Sequence, residues 1–152
     1  MRHLAGRPKR EEMTLLDLIH KIEKTAKSQP QVGEVIGGDI YRLNERADAL
    51  YGVFAWTQGQ HTLDVMDDST AYTFTLFYVD RLTADKSNTA EVQSVGIQVL
   101  SNILRSLMSE GVGVGLATFQ PFTERFSDEC AGVYCSVTLT VPNDYNCEQT
   151  FD

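Results

Sequence analysis

No stretch of this 152-residue chain approaches the roughly 20 consecutive apolar residues that a membrane-crossing helix needs. The basic residues at the start are followed by no apolar segment, so they do not read as a secretory signal. The two absences predict a protein that folds in a reducing cytoplasm. Cysteine is scarce: Cys130, Cys135 and Cys147 are the only three. An odd number suits no closed disulfide framework, and no CxxC pair is present. His3, His20 and His61 are scattered. A zinc site needs four soft ligands at close spacing, so no metal is expected and the cysteines read as small packing residues. The GxSxG, HExxH, P-loop and dinucleotide-binding patterns are missing too. Gly37-Gly38 is no phosphate loop, because neither a Lys-Ser/Thr pair nor a helix follows it. The expectation is a protein that is not an enzyme and takes no cofactor.

What is present suits one globular core: 42% of the residues are hydrophobic and 22% charged. No repeat or linker divides the chain. It reads as a single α+β domain over 13–147, with a basic N-terminal arm over 1–12 and a short C-terminal tail over 148–152. The arm holds Arg2, Arg7, Lys9 and Arg10 against Glu11 and Glu12, so a chain of net charge −8 carries −10 without it. An acidic body is a poor reader of duplex DNA, whose phosphates demand clustered Lys and Arg. The arm reads either as a frayed terminus or as a docking element for an acidic surface on a partner or a neighbouring copy. In the second case Arg7, Lys9 and Arg10 are the contacts.

Hydrophobic spacing gives the elements. Leu15, Leu18, Ile19, Ile22 and Ala26 form one face of a helix within 13–30, started by Thr14 or Glu12 and ended by Pro30. A first strand is expected over 32–43, interrupted at Gly37-Gly38 by a turn or a bulge. A second is expected near 50–58 and a third over 70–82, with Tyr72, Phe74, Leu76 and Tyr78 on one face. A longer helix follows, with Asn88 as candidate N-cap and Gly111 as its stop. Gly96 inside it suggests close packing against a strand. A fourth strand over 111–122 carries alternating glycines, a flat face on which another backbone can sit. The fifth has the clearest period of two: Val133, Cys135, Val137, Leu139 and Val141 against Tyr134, Ser136, Thr138 and Thr140. The order α-β-β-β-α-β-β predicts two helices on one face of a largely antiparallel sheet.

Two polar clusters invite chemistry. Asp64, Asp67 and Asp68 form a dense carboxylate group, but without the spacing of a calcium loop they read as a solvated turn. Glu124, Arg125, Asp128 and Glu129 crowd a loop that reads as exposed or paired with a neighbour. There Arg125, between Phe122 and Phe126, suits an acidic partner surface. Phe122, Glu124, Arg125, Phe126, Asp128 and Tyr134 are therefore candidate interface residues.

Three stretches carry a resemblance: "GGDIYRLNERADALYGVFAWTQGQ", "YVDRLTADKSNTAEVQSVGIQVLSNILRSL" and "FTERFSDECAGVYCSVTLTVPNDYNC". With the element order, they resemble the tail-terminator and neck (head-to-tail connector) ring proteins of tailed bacteriophages, including ring proteins of crAss-like podoviruses. The likeness spans roughly 13–147 and leaves the arm uncovered. It implies a virion structural protein, assembled in the host bacterial cytoplasm into a six- or twelve-fold homo-oligomeric ring. Portal, neck and tail proteins would be its partners, and genome DNA would pass through the lumen without sequence-specific binding. Two other readings compete. One is a small-ligand-binding α+β regulatory domain with the open sheet face as pocket floor. The other is a metal-dependent hydrolase built on Asp64, Asp67 and Asp68.

Overall fold

Thr14 starts the first helix. Its Oγ1 accepts from the Asp17 amide at 3.1 Å, and the Asp17 carboxylate accepts from the Thr14 amide at 3.1 Å. This reciprocal cap satisfies amides that a first turn otherwise leaves unpartnered. Hydrogen bonding from the Thr14 amide and then its hydroxyl, aided by His20 and Lys21, holds the Asp17 carboxyl below its ordinary range. The structure, a computed structural model, describes residues 13–38, 51–123 and 129–143. Its elements are α1 (Leu15–Lys27), β1 (Glu34–Gly37), β2 (Val53–Asp64), β3 (Ser69–Arg81), α2 (Thr89–Ser109), β4 (Gly113–Val114), β5 (Thr118–Thr123) and β6 (Cys130–Pro142).

The fold is α+β, with a mixed, mostly antiparallel sheet. The strands lie in the order β1-β2-β3-β6, and both β4 and β5 pair with the outer edge of β6. Among the described residues, β1 and β2 alone run parallel. The side chains of β2, β3 and β6 that point to one face meet both helices. Phe54, Trp56, Phe74, Leu76, Tyr78, Val133, Cys135, Val137, Leu139 and Val141 pack there against Leu18, Ile22, Ala26, Val99, Leu100, Ile103 and Leu107. Among the described residues, no helix is long and apolar enough to cross a membrane.

Several boundaries differ from the sequence expectation. β1 stops at Gly37, and Gly38 takes a positive φ of 95°, so the glycine pair ends the strand. A Cβ on Gly37 would lie 2.5 Å from the Trp56 ring; the glycine admits the indole, which donates to Glu23 at 2.8 Å. The expected continuation over 39–43 lies outside the described residues. β2 runs on to Asp64, because its half-polar second half pairs with β3 across a hairpin, with a register shift between Gln58 and His61. The expected fourth strand is two: β4 and β5 flank a break at which Leu116 stands 97% exposed. Gly113 and Gly115 offer that edge no side chain to anchor it. Asn88 occupies the N-cap of α2 without capping it. Its Oδ1 accepts from the Thr83 amide at 2.9 Å and its Nδ2 donates to the Arg81 carbonyl at 3.2 Å, tying the loop to the end of β3.

Gly111 does stop α2, with a φ of 96°, and Gly96 packs as expected: a Cβ there would lie 2.5 Å from Val133 and 3.1 Å from Tyr78. Gly132 is tighter. It sits opposite Val79, and a Cβ there would run into the Tyr78 carbonyl oxygen and, at 2.8 Å, the Phe122 ring. Backbone cannot yield as a side chain end can. Gly132→Ala is expected to lower unfolding free energy by about 3 kcal/mol or more. Gly115→Ala, whose Cβ would meet the Thr138 carbonyl at an ordinary 3.4 Å, should cost less than about 1 kcal/mol. Urea unfolding of the two variants checks this contrast.

Candidate assembly surface

The face of the sheet turned away from the helices divides into two zones. Nearest the start of β2 it is apolar. Ile36, Val53, Ala55, Phe77, Val79 and Cys130 are buried there, and Tyr51, Phe122 and Tyr134 pack against them half-buried. An aromatic row closes this zone. Phe77 and Tyr134 are cross-strand partners with ring centroids 5.5 Å apart, and Phe122 stands 6.1 Å from Tyr134. Arg81 lies over the Tyr51 ring at 4.7 Å, close enough for a cation–π attraction.

Beyond the aromatic row the face changes character. Register places Thr57, Thr75, Ser136 and Thr118 in one line across β2, β3, β6 and β5. The next line brings Thr73 against Thr138, with Gly59 beside Thr73 and the Gly115 amide donating to the Thr138 carbonyl at 3.0 Å. A third holds Thr62, Ala71, Thr140 and Gly113. Hydroxyls neighbour one another across the strands: Thr75 and Ser136 at 3.2 Å, Thr73 and Thr138 at 3.4 Å. Every side chain in these lines is small and none is charged. β-branched threonines explain why such a polar surface still folds as strand. The zone spans four strands of about 4.8 Å spacing and three rows, roughly 400 Å² in all.

Two of the residues singled out from the sequence meet on this face. Phe122 lies over Gly132, its register partner, and contacts Tyr134. Arg7, Lys9, Arg10, Glu124, Arg125, Phe126 and Asp128 lie outside the described residues. Phe77, the third ring of the row, went unassigned. Its signal was its place in the alternation Thr73, Thr75, Phe77, where a bulky ring follows two hydroxyls on the face opposite the core. The β5 register that brings Phe122 beside Tyr134 had no sequence signal, because it depends on the break at Leu116.

The other candidate chemistry is accounted for. Asp64, Asp67 and Asp68 sit exposed at the tip of the β2–β3 hairpin. Asp64 accepts from the Asp67 amide at 3.0 Å, and Asp68 accepts from the Asn143 side chain at 3.3 Å. Among the described residues, no group of three or more His, Cys, Asp or Glu side chains is placed to hold a metal ion. Cys135 is buried under the helices, which pushes its thiol up to about 12. Cys130, equally buried, lies on the opposite face with its Sγ 3.6 Å from the Tyr51 hydroxyl. No protein-family model matches this chain, and no curated protein is similar to it.

The buried acids give an alkaline signature. Burial, reinforced by Asp80, raises Tyr78 from 10.0 to about 12, and burial alone raises Cys135 from 9.0 to about 12. The folded chain holds both protons more tightly than the unfolded chain. Their stabilisation is therefore complete below pH 9 and is lost as pH rises toward 12. Urea midpoints measured from pH 8 to 11 should fall, and Cys135→Ala should flatten the fall. In a Cys147→Ser variant, neither remaining thiol should react with Ellman's reagent until the chain is unfolded, when both should.

Proposed function

We propose that this chain works by assembly, as a subunit of a closed ring in the neck or tail of a tailed bacteriophage, joining the portal side of the capsid to the tail. One observation carries the assembly reading: the uncharged hydroxyl and glycine zone of the open sheet face. Charged residues make up 22% of this chain, yet the zone holds none. Depletion of charge at the core of the contact is what distinguishes an interface from ordinary surface. Small side chains let a neighbouring backbone approach closely, and the aromatic row gives one rim of the zone an apolar border. The zone's area, roughly 400 Å², is about half of what one partner contributes to a standard interface. A ring contact through it therefore draws on further surface, for which the loop carrying Glu124, Arg125, Phe126 and Asp128 is the nearest candidate in sequence.

The virion reading rests on the resemblance of the three sequence stretches, with the expected order α-β-β-β-α-β-β, to phage ring proteins; the structure departs from that order in having its fourth expected strand split into β4 and β5. The fold is in this proposal tail-terminator-like. A head-to-tail contact closes when its rotation divides the circle, which suits a six- or twelve-fold ring. The excess of acidic residues fits a lumen along which DNA slides without sticking, since like charges repel.

The test is mass photometry and cryo-electron microscopy of the purified protein, alone and with portal and tail proteins. A closed ring on the portal–tail axis is expected. Ser136→Arg and Thr138→Arg place a large charge on exposed positions of the zone, so they should keep the folded circular-dichroism spectrum and lose ring formation. A chain that stays monomeric or dimeric in every mixture would overturn the proposal and favour a ligand-binding domain.

A further inference from the structure

The tip of the β2–β3 hairpin is the most exposed apolar point in the described structure. Leu63, Val65 and Met66 are 55%, 76% and 98% exposed there. β3 is paired along its whole length with β6, from Ser69 against Pro142 to Arg81 against Cys130, and Asn143 just beyond donates its amide to the Asp68 carbonyl at 2.9 Å, tying the tip to the end of β6. Asp64, Asp67 and Asp68 alternate with these apolar groups, and none of the three carboxylates is within ion-pair distance of a lysine or arginine of the described residues. A surface that mixes apolar knuckles with carboxylates suits a segment that mixes cations with small apolar residues.

The chain contains such a segment. The arm "MRHLAGRPKR" holds four of the thirteen Lys and Arg and no acid, in a chain of net charge −8. Topology brings the two together. α2 leaves the end of β3, where Asn88 bonds Arg81, and runs toward β4, whose Gly113 pairs with Thr140 near the hairpin end. α1 runs the opposite way: its Lys21 pairs with Glu110 at the last turn of α2, at 2.6 Å, while Gln29 beyond its other end bonds Asn102. Thr14 lies a further seven residues along, so the described chain begins at the hairpin end. Fully extended, twelve residues reach about 40 Å. A compact domain of this length is roughly 38 Å across. A twelve-residue segment attached at Met13 is therefore long enough to reach the same end of a subunit standing alongside.

We propose that the hairpin tip is the docking point for the N-terminal arm of a neighbouring copy of this chain, with Arg7, Lys9 and Arg10 meeting Asp64, Asp67 and Asp68 while Met66 and Val65 pack beside Leu4. The inference rests on the reading that copies of this chain associate. Met13 and the tip lie at one end of the fold, so the proposed contact joins subunits standing side by side in the same orientation, as in a ring.

Carbodiimide cross-linking tests it, because Lys9 is the arm's only lysine and the reagent joins an amine directly to a carboxylate. Equal amounts of unlabelled and ¹⁵N-labelled full-length chain are mixed under the conditions in which mass photometry shows association. The expected result is a Lys9–Asp67 or Lys9–Asp64 peptide of mixed isotope content. It should be lost in the Asp64→Asn/Asp67→Asn/Asp68→Asn variant and reduced at least several-fold between 50 mM and 500 mM salt, as screening requires. A cross-link found only within single copies overturns the proposal, as does an associated species with no Lys9 cross-link. In the second case assembly stands and the arm contact alone fails. Monomers at every salt concentration and in every mixture remove both.

Discussion

The burial of Tyr78 is the constraint on which the fold depends. It sits near the end of β3, the strand flanked by β2 and β6, and its ring points into the helix-covered core at 1% exposure. Room for it is made by glycines on three different elements. A side chain at Gly52 would strike its hydroxyl, one at Gly96 would meet its ring, and one at Gly132 would meet its carbonyl. The entry to β2, the middle of α2 and the start of β6 are thus all set by how closely they approach one residue. Its hydroxyl reaches the Gln31 carbonyl at 3.4 Å, linking the turn after α1 to the same point. Interiors pack to crystal density, so shifting any one of these elements would disturb the others.

With the core fixed on one face, the other face of the same strands is free to differ along its length. The alternation of β3 sends Phe74, Leu76 and Tyr78 to the helices and Thr73, Thr75 and Phe77 outward. The outer face is apolar only as far as Phe77 and Tyr134. Past that row, the three lines from Thr57 to Gly113 place nothing larger than threonine at their register positions, until the last line brings Asp64, Ser69 and Pro142 together. Edge addition is a less suitable use of this sheet: Pro121 interrupts the amides of β5, and the register shift at Gln58–His61 disturbs the edge of β2, both devices that discourage strand pairing. Contact through the face is what these strands leave open.

The helices, the third strand and β6 were legible because each repeats a single period over many residues. Leu18, Ile22 and Ala26 could only be one helical face, and the alternation from Val133 to Val141 one strand. Gly96 and Gly111 were legible for the same reason: a glycine inside a strong helical pattern, or just past its end, has few physical explanations. What failed to show was set by tertiary contact. The far half of β2 is too polar to declare itself and becomes strand only by pairing with β3. Asn88 has the right chemistry for a cap but is drawn away by Thr83 and Arg81. The break at Leu116 follows from the fit of two short strands to one long partner, which no local pattern encodes. Of the candidate surface, the polar face of β6 was readable, whereas the rows that complete it needed the register.

The two surfaces differ in how they hold. The open zone is neutral, and contacts made through it as proposed would depend on close approach and on hydroxyl pairing, which salt affects little. The hairpin tip is acidic and exposed, and an arm bound there is held by charges that screen within about 10 Å at 0.1 M salt. Neither suffices alone: the zone is half the usual size, and exposed ion pairs contribute at most about 1 kcal/mol each. Joined in one subunit they act together, because a neighbour held by one contact presents the other at high effective concentration. The arm has a second effect. Subunits bearing −10 outside the arm repel as they approach, and an arm docked as proposed would set four cations against the carboxylates of the neighbour's hairpin tip. In the proposed assembly, the acidic body and the basic arm are then parts of one arrangement, the arm offsetting the repulsion that the body's charge sets up between copies.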